Sequence, residues 1–349
     1  TANNATREYG LADPTFTGSI TGFRNSDTAS VVSGLVYGST AVLNSGIGTY
    51  AINGSGATAT NYNFAYVPGT LTITRALLTV TADNATREYG LANPVFTGTI
   101  SGLRAGDTAS VVSGLVFGTT ATTSSNVGTF AITASGGTAA NYNFAYAPGT
   151  LTITRALLTV TADNATREYG LANPTFTGSV TGFRNSDTAS VISGLVYGSA
   201  ATVASNVGTF AITGSGATAT NYDFAYVPGT LTITRALLTV TANNATREYG
   251  LADPAFTGSI TGFRNSDTAS VVSGLVYGST AVLNSGIGTY AINGSGATAT
   301  NYNFAYVPGT LTITRALLTV TADNATREYG LANPVFTGTI SGLRAGDTA

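Results

Sequence analysis

The 349 residues carry 14 basic and 16 acidic side chains, a formal net charge of −2, and no Cys, Met, Trp or His. Lys and Gln are also missing, so every basic residue is Arg, while a hydrophobic share of 43% is ample for a packed core. No basic stripe exists to track phosphates and no run of 18 apolar residues exists to span a bilayer, which excludes nucleic-acid binding and a membrane-spanning helix as expectations.

The sequence returns on itself every 80 residues. TANNATREYG at Thr1 reappears as TADNATREYG at Thr81, Thr161 and Thr321 and as TANNATREYG at Thr241. A longer period lies on top: residues 241–320 copy 1–80 with one change, Thr15 to Ala255, and 321–349 match 81–109. Such a pattern favours length, or many copies of one surface, over a single active site.

Taken in chain order, the elements alternate with period two, the strand signature. Phe16 and Ile20 mark one strand. Asn25–Gly34 breaks the alternation and reads as one or two helical turns, with Asp27 as N-cap, Val31 and Val32 inward, and Gly34 as terminator. Leu35 with Tyr37, and Tyr50 with Ile52, mark two further strands. Tyr62, Phe64 and Tyr66 alternate down another. Val67-Pro68-Gly69-Thr70 then has the composition of a type II turn, so NYNFAYVPGTLTIT is expected to form a hairpin closing on Leu71 and Ile73. In LLTVTA, Leu78, Val80 and Ala82 share one face and Thr79 and Thr81 the other. Only Arg75 and Ala76 separate this strand from the preceding one.

That short junction sets the frame. Whole domains are expected at 77–154, 157–234 and 237–314. Residues 1–74 form a repeat without its first strand, and 317–349 hold only the start of a repeat. The expected class is mainly β: a linear tandem array of small β-sandwich or β-grasp-like domains of about 80 residues, each with one short helical turn and each closing its own core. Strands of this length give a step on the order of 30–40 Å per unit. Arg75, Arg155, Arg235 and Arg315 sit at the junctions and are candidates to hydrogen-bond across them.

The opening LTVTA strand, Tyr9-Gly10, Asn or Asp before Pro14, Gly22, Asp27, the Gly48-Thr-Tyr/Phe strand and Asn61-Tyr62 with GTLTIT recur in order. Together they resemble the MBG domain of YGX type, a module repeated in large bacterial surface and secreted proteins, including filamentous-haemagglutinin-like adhesins. The resemblance implies an extracellular or cell-surface β-module used as a spacer or adhesive repeat, and it brings no catalytic residues.

The side-chain inventory argues against an enzyme. Without His, Cys or Lys there is no common general base, thiolate, soft metal ligand or Schiff-base amine. Glu8 and Asp27 are the remaining carboxylate pair, and an 80-residue β-domain offers little cleft for glycoside hydrolysis. The bland reading is that Arg7, Glu8, Arg24 and Asp27 pair on the surface or brace loops. Calcium at the junctions would need clustered oxygens, but position 83 is Asn3, Asp83, Asp163, Asn243 and Asp323 in successive copies, so no cofactor is expected. The Asn4-Ala5-Thr6 sequon recurs at Asn84, Asn164, Asn244 and Asn324, as expected by chance in a Thr- and Asn-rich chain. Thr-x-Thr rows read as outward strand faces rather than an ice-binding array. Tyr9 beside Gly10 is suited to plug a corner through its hydroxyl, and Tyr62 and Tyr66 to packing rather than a sugar platform.

The functional expectation is a structural stalk or fibre whose length is set by repeat number, with neighbouring repeats as partners. Two alternatives stay open. One is a filament subunit joined to other copies of itself by strand exchange between LLTVTADNATREYG and the N-terminal unit. The other is a multivalent adhesin for glycans or a host surface.

Overall fold

Alternating sequence becomes alternating burial. In the computed structural model, which describes residues 1–344 and 346–349, the strand Ala76–Ala82 turns Ala76, Leu78, Val80 and Ala82 inward and leaves Leu77, Thr79 and Thr81 outside. Gly149–Thr154 does the same with Leu151 and Ile153. Each fully buried Leu, Val or Ile contributes about 1.5–3 kcal/mol. The outer faces are left to Thr, whose branched side chain suits a pleated surface.

The second repeat shows the architecture. A three-stranded sheet runs in the order Tyr142–Ala147, Ala76–Ala82, Gly98–Ser101, the first pair parallel and the second antiparallel. A four-stranded sheet runs Ala85–Glu88, Gly149–Thr154, Gly128–Ser135, Val116–Gly118, again with one parallel pair at its start. The fourth repeat repeats both sheets with its own copies of these strands. The fold is therefore mainly β, in repeated two-sheet modules.

By its contacts the chain divides into two compact units. One comprises 1–158, 182–193 and 218–224; the other 159–181, 194–217 and 225–349. In the first unit, one buried cluster joins Tyr9, Ile52, Leu71 and Ile73 of the first repeat to Ala76, Leu78 and Tyr142 of the second. In the second unit, Tyr169, Ile212, Leu231 and Ile233 join Ala236, Leu238 and Tyr302 in the same way. The expectation that each repeat closes its own core is thus corrected. The four-stranded sheet of one repeat shares its interior with the three-stranded sheet of the next, because a linker of one residue, Arg75 between Thr74 and Ala76, leaves no gap for solvent.

The expected hairpin is also corrected. Tyr142–Ala147 and Gly149–Thr154 are consecutive but lie in different sheets. Pro148 has no N–H to continue a ladder, and the chain crosses between layers there. Gly69 does not take a positive φ. Glycine is needed because a Cβ would stand 2.6 Å from the Asn3 carbonyl and 2.7 Å from that of Ala2. The helical segment shrinks to one 3-10 turn, Ala29–Val31, with Thr28 rather than Asp27 as N-cap. Val31 is exposed and Val32 half-buried. Gly34 does terminate the segment at φ +74°, facing the Gly56 carbonyl.

In the first repeat, residues 18–21 and 62–67 form no strands, and only a bridge from Ala2 to Gly18 remains.

Candidate functional site

The densest polar constellation lies where one repeat meets the next. The strand Ala5–Glu8 runs parallel to Gly69–Thr74 and ends with Glu8, Tyr9 and Gly10 at the boundary. Tyr9 is buried, and its hydroxyl donates to Asp107 Oδ2 of the second repeat at 3.1 Å. Tyr142 donates to the same oxygen at 2.7 Å and accepts from the Arg104 N–H at 3.0 Å. The two rings meet edge to face, 5.4 Å apart. Glu8 pairs with Arg104 at 2.9 Å, and the Ile47 N–H donates to Asn141 Oδ1 at 3.2 Å.

The same set recurs. Within the first unit, Tyr89 meets Asp187 and Tyr222, Glu88 meets Arg184, and Val127 donates to Asn221. Within the second, Tyr169 meets Asp267 and Tyr302, Glu168 meets Arg264, and Val207 donates to Asn301. Burial, helped by hydrogen bonding to the neighbouring aspartate, raises the phenol pKa of Tyr9 and Tyr142 and pushes Tyr222 and Tyr302 up to about 12. The phenols are therefore fixed donors to a carboxylate. The ion pairs are half-exposed and contribute little, about 0–1 kcal/mol each. The buried tyrosine–aspartate bonds, charge-assisted and shielded from water, outweigh them.

A second constellation braces the loops. Arg7 is buried beneath them: its Nε donates to Asp13 Oδ1 at 2.5 Å and its Nη2 to the Val42 carbonyl at 2.7 Å. The surface placement expected for Arg7 is thereby corrected, while its loop-bracing role stands. In the second repeat Arg87 meets Asn93 at 2.7 Å and the Thr122 carbonyl, and Asn93 Nδ2 adds a bond to the Ala121 carbonyl. The Asp–Asn exchange at this position thus trades an ion pair for a second hydrogen bond. Position 83 behaves likewise. Asn3 donates to Thr17, whereas Asp83 accepts from Thr97, so the bond survives with its direction reversed.

Arg75, Arg155 and Arg235 are exposed, and each donates from Nε to a loop carbonyl of the repeat that follows: Ala140, Thr220 and Thr300. Arg315 is exposed as well. Glu8 and Asp27 do not act as a pair: Glu8 holds Arg104, and Asp27 accepts from Tyr62 at 2.8 Å. Asn84 is exposed and its Oδ1 accepts from the Thr150 N–H. Among the described residues no three His, Cys, Asp or Glu side chains cluster as a metal site, and no helix is long and apolar enough to cross a membrane.

A family model described as "MBG domain (YGX type)" matches residues 1–72, 78–152, 158–232, 238–312 and 318–349. The chain belongs to this MBG family. Its repeats are tandem MBG domains, and the matched ranges take in Tyr9-Gly10, the corner that reaches the next repeat. Comparison with curated protein sequences gives no match. Solved structures similar to these MBG repeats include Drosophila N-cadherin EC1-4, 7% identical over 76% of this chain and 83% of that one, with a TM-score of 0.24. Sidekick-1 immunoglobulin domains 1-5 are 11% identical over 77% and 67%, with a TM-score of 0.27. Bacteroides ovatus SGBP-B in complex with mixed-linkage heptasaccharide is 11% identical over 72% of each chain, with a TM-score of 0.14.

Sequence reasoning missed the boundary cluster. A signal for it was present: Glu8-Tyr9-Gly10, Arg24, Asp27 and Asn61-Tyr62 are identical in every copy that contains them, while residues 15, 25, 26, 40, 42–44 and 46 drift.

Proposed function

We propose that these MBG repeats form a stiff spacer in an extracellular bacterial fibre or stalk, with reach set by copy number. The observation that carries this reading is the recurrence of one boundary: the same Tyr–Asp–Tyr cluster, Glu–Arg pair and Asn bridge at successive junctions, with a buried core that crosses from the first repeat to the second and from the third to the fourth. A one-residue linker removes the slack that would let neighbouring repeats swing, and shared burial penalises separation. The role is non-catalytic, since the carboxylates at the boundary are already engaged by Arg and Tyr. A surface of Thr, Ser, Asn and Gly without Cys or Met suits secretion.

Small-angle scattering on chains of two, three and four repeats tests it. The maximum dimension should rise by an equal increment per repeat, on the order of 30–40 Å. A dimension that grows irregularly, or ensembles broad enough to need independently moving repeats, would rule the spacer out.

A further inference from the structure

Around the shared Tyr–Asp–Tyr cluster, successive junctions differ in chemistry. The outgoing face of the first repeat reads VLNSGIGTY (42–50), that of the second TTSSNVGTF (122–130) and that of the third TVASNVGTF (202–210). The incoming turn reads LRAG (103–106) in the second repeat but FRNS in the third (183–186) and fourth (263–266). Where FRNS enters, side chains bridge the repeats. Asn185 Nδ2 donates to the Thr123 carbonyl at 2.9 Å, and Asn221 Nδ2 to Asn126 Oδ1 at 2.9 Å. Asn265 with the Val203 carbonyl, and Asn301 with Asn206, repeat both bonds. Phe183 packs edge to face on Tyr222, and Phe263 on Tyr302. Between the first and second repeats neither bridge can form, since Ala105 has no amide and Gly46 no side chain. Packing takes their place. Tyr50, Leu103 and Ala105 lie against the buried cluster that joins the two repeats, and the Tyr50 hydroxyl closes on the Gly46 carbonyl at 3.0 Å. Ala105 holds φ +55°, a left-handed conformation that suits the Asn of the other repeats better, so packing rather than turn chemistry accounts for it.

We infer that each repeat selects its successor: the bulky face VLNSGIGTY fits a repeat entering with LRAG, and the slimmer faces fit a repeat entering with FRNS. The first pairing sets larger Ile47 and Tyr50 with smaller Leu103 and Ala105. The second sets smaller Val127 and Phe130 with larger Phe183 and Asn185, so bulk is exchanged across the boundary rather than added. Crossed pairings are penalised both ways. Bulk against bulk overpacks, while LRAG against a slim face leaves space and an unbridged carbonyl. The sequence keeps the partners together: LRAG stands at 103–106 and 343–346, each time in the repeat after VLNSGIGTY at 42–50 and 282–290. Near-identical neighbours are prone to dock or exchange strands out of order, and matched faces give one order an energetic preference.

Exchanging faces in the full chain tests this. Leu43→Thr, Gly46→Asn and Tyr50→Phe give the first repeat the outgoing residues of the second; Leu103→Phe, Ala105→Asn and Gly106→Ser give the second the incoming residues of the third. Hydrogen exchange is read in residues 137–147, GTAANYNFAYA, a sequence found in no other repeat and containing Asn141 and Tyr142 of the boundary. Each one-sided change should speed exchange there about tenfold, and both together should return it to within about threefold of the parent. Intrinsic effects, including the turn preference of Asn over Ala, cancel in this cycle. The converse exchange at the next junction covers an altered first repeat that fails to fold. Thr123→Leu, Asn126→Gly and Phe130→Tyr against Phe183→Leu, Asn185→Ala and Ser186→Gly should compensate likewise, read in residues 218–224, which Asp223 makes unique. One-sided changes without effect, or combined rates equal to the product of the single effects, overturn the matching and leave the even lengthening of the spacer in place.

Discussion

Replacing Tyr142 by Phe separates what holds a repeat together from what holds repeats to one another. The ring stays, so its packing on Tyr9 persists. The lost hydroxyl donates to Asp107 at 2.7 Å and accepts from the Arg104 N–H at 3.0 Å, both within the second repeat. A hydrogen bond to a charged group contributes about 1.5–3 kcal/mol, and an orphaned buried N–H costs about 1–3 kcal/mol. Because Tyr9 still serves Asp107, the net loss should be about 3 kcal/mol. Tyr9→Phe removes only the 3.1 Å bond across the boundary and leaves Asp107 with Tyr142, so about 1 kcal/mol is expected. The chain has no Trp, and Phe130→Trp places a single fluorophore in the second repeat. With a urea slope of roughly 1–2 kcal/mol/M for a module of this size, Tyr142→Phe should lower its midpoint by about 2 M, and Tyr9→Phe by about 0.5–1 M. Equal shifts, or a larger one for Tyr9→Phe, would refute this division between internal and boundary bonds.

Alkaline titration should expose the same cluster. The phenol pKa of Tyr222 and Tyr302 lies above its unfolded value, so their contribution is full below pH 10 and is lost as pH rises through about 12. Tyrosinate absorbance should show a late-ionising class, and Tyr222→Phe should remove part of it; uniform ionisation near pH 10 would contradict the burial. Gly149→Ala brings a Cβ within 2.5 Å of the Asp83 carbonyl and should destabilise by about 2–3 kcal/mol in thermal unfolding, whereas a loss below about 0.5 kcal/mol would mean the backbone yields freely. Asn93→Asp recreates the Arg7–Asp13 pair but forfeits the bond to the Ala121 carbonyl, so the net change should stay within about 1 kcal/mol; a larger loss would show that the carboxamide proton matters more than the charge.

Period-two alternation made the strands legible, because Leu78, Val80, Leu151 and Ile153 are inward wherever the sheets lie. Pairing was less legible. Pro148-Gly149 carries hairpin chemistry, yet the strand before it prefers Ala76–Ala82 and the strand after it prefers Gly128–Ser135, and local turn preference cannot weigh two distant partners. Asp27 looked like a helix cap because capping is a local signal, while its real partner, Tyr62, lies 35 residues away. Tyr9 was expected to use its hydroxyl at a corner, as it does, but its acceptor lies 98 residues downstream. The family likeness rested on motif order and was legible throughout.

Tension applied to such a chain enters the second repeat at Ala76 and leaves at Thr154. Ala76–Ala82 lies between Tyr142–Ala147 and Gly98–Ser101, and Gly149–Thr154 between Ala85–Glu88 and Gly128–Ser135. Neither loaded strand is an edge that peels one bond at a time. Force along either must shear two ladders at once, and the parallel registers Tyr142–Ala76 and Leu151–Ala85 put many hydrogen bonds under load together.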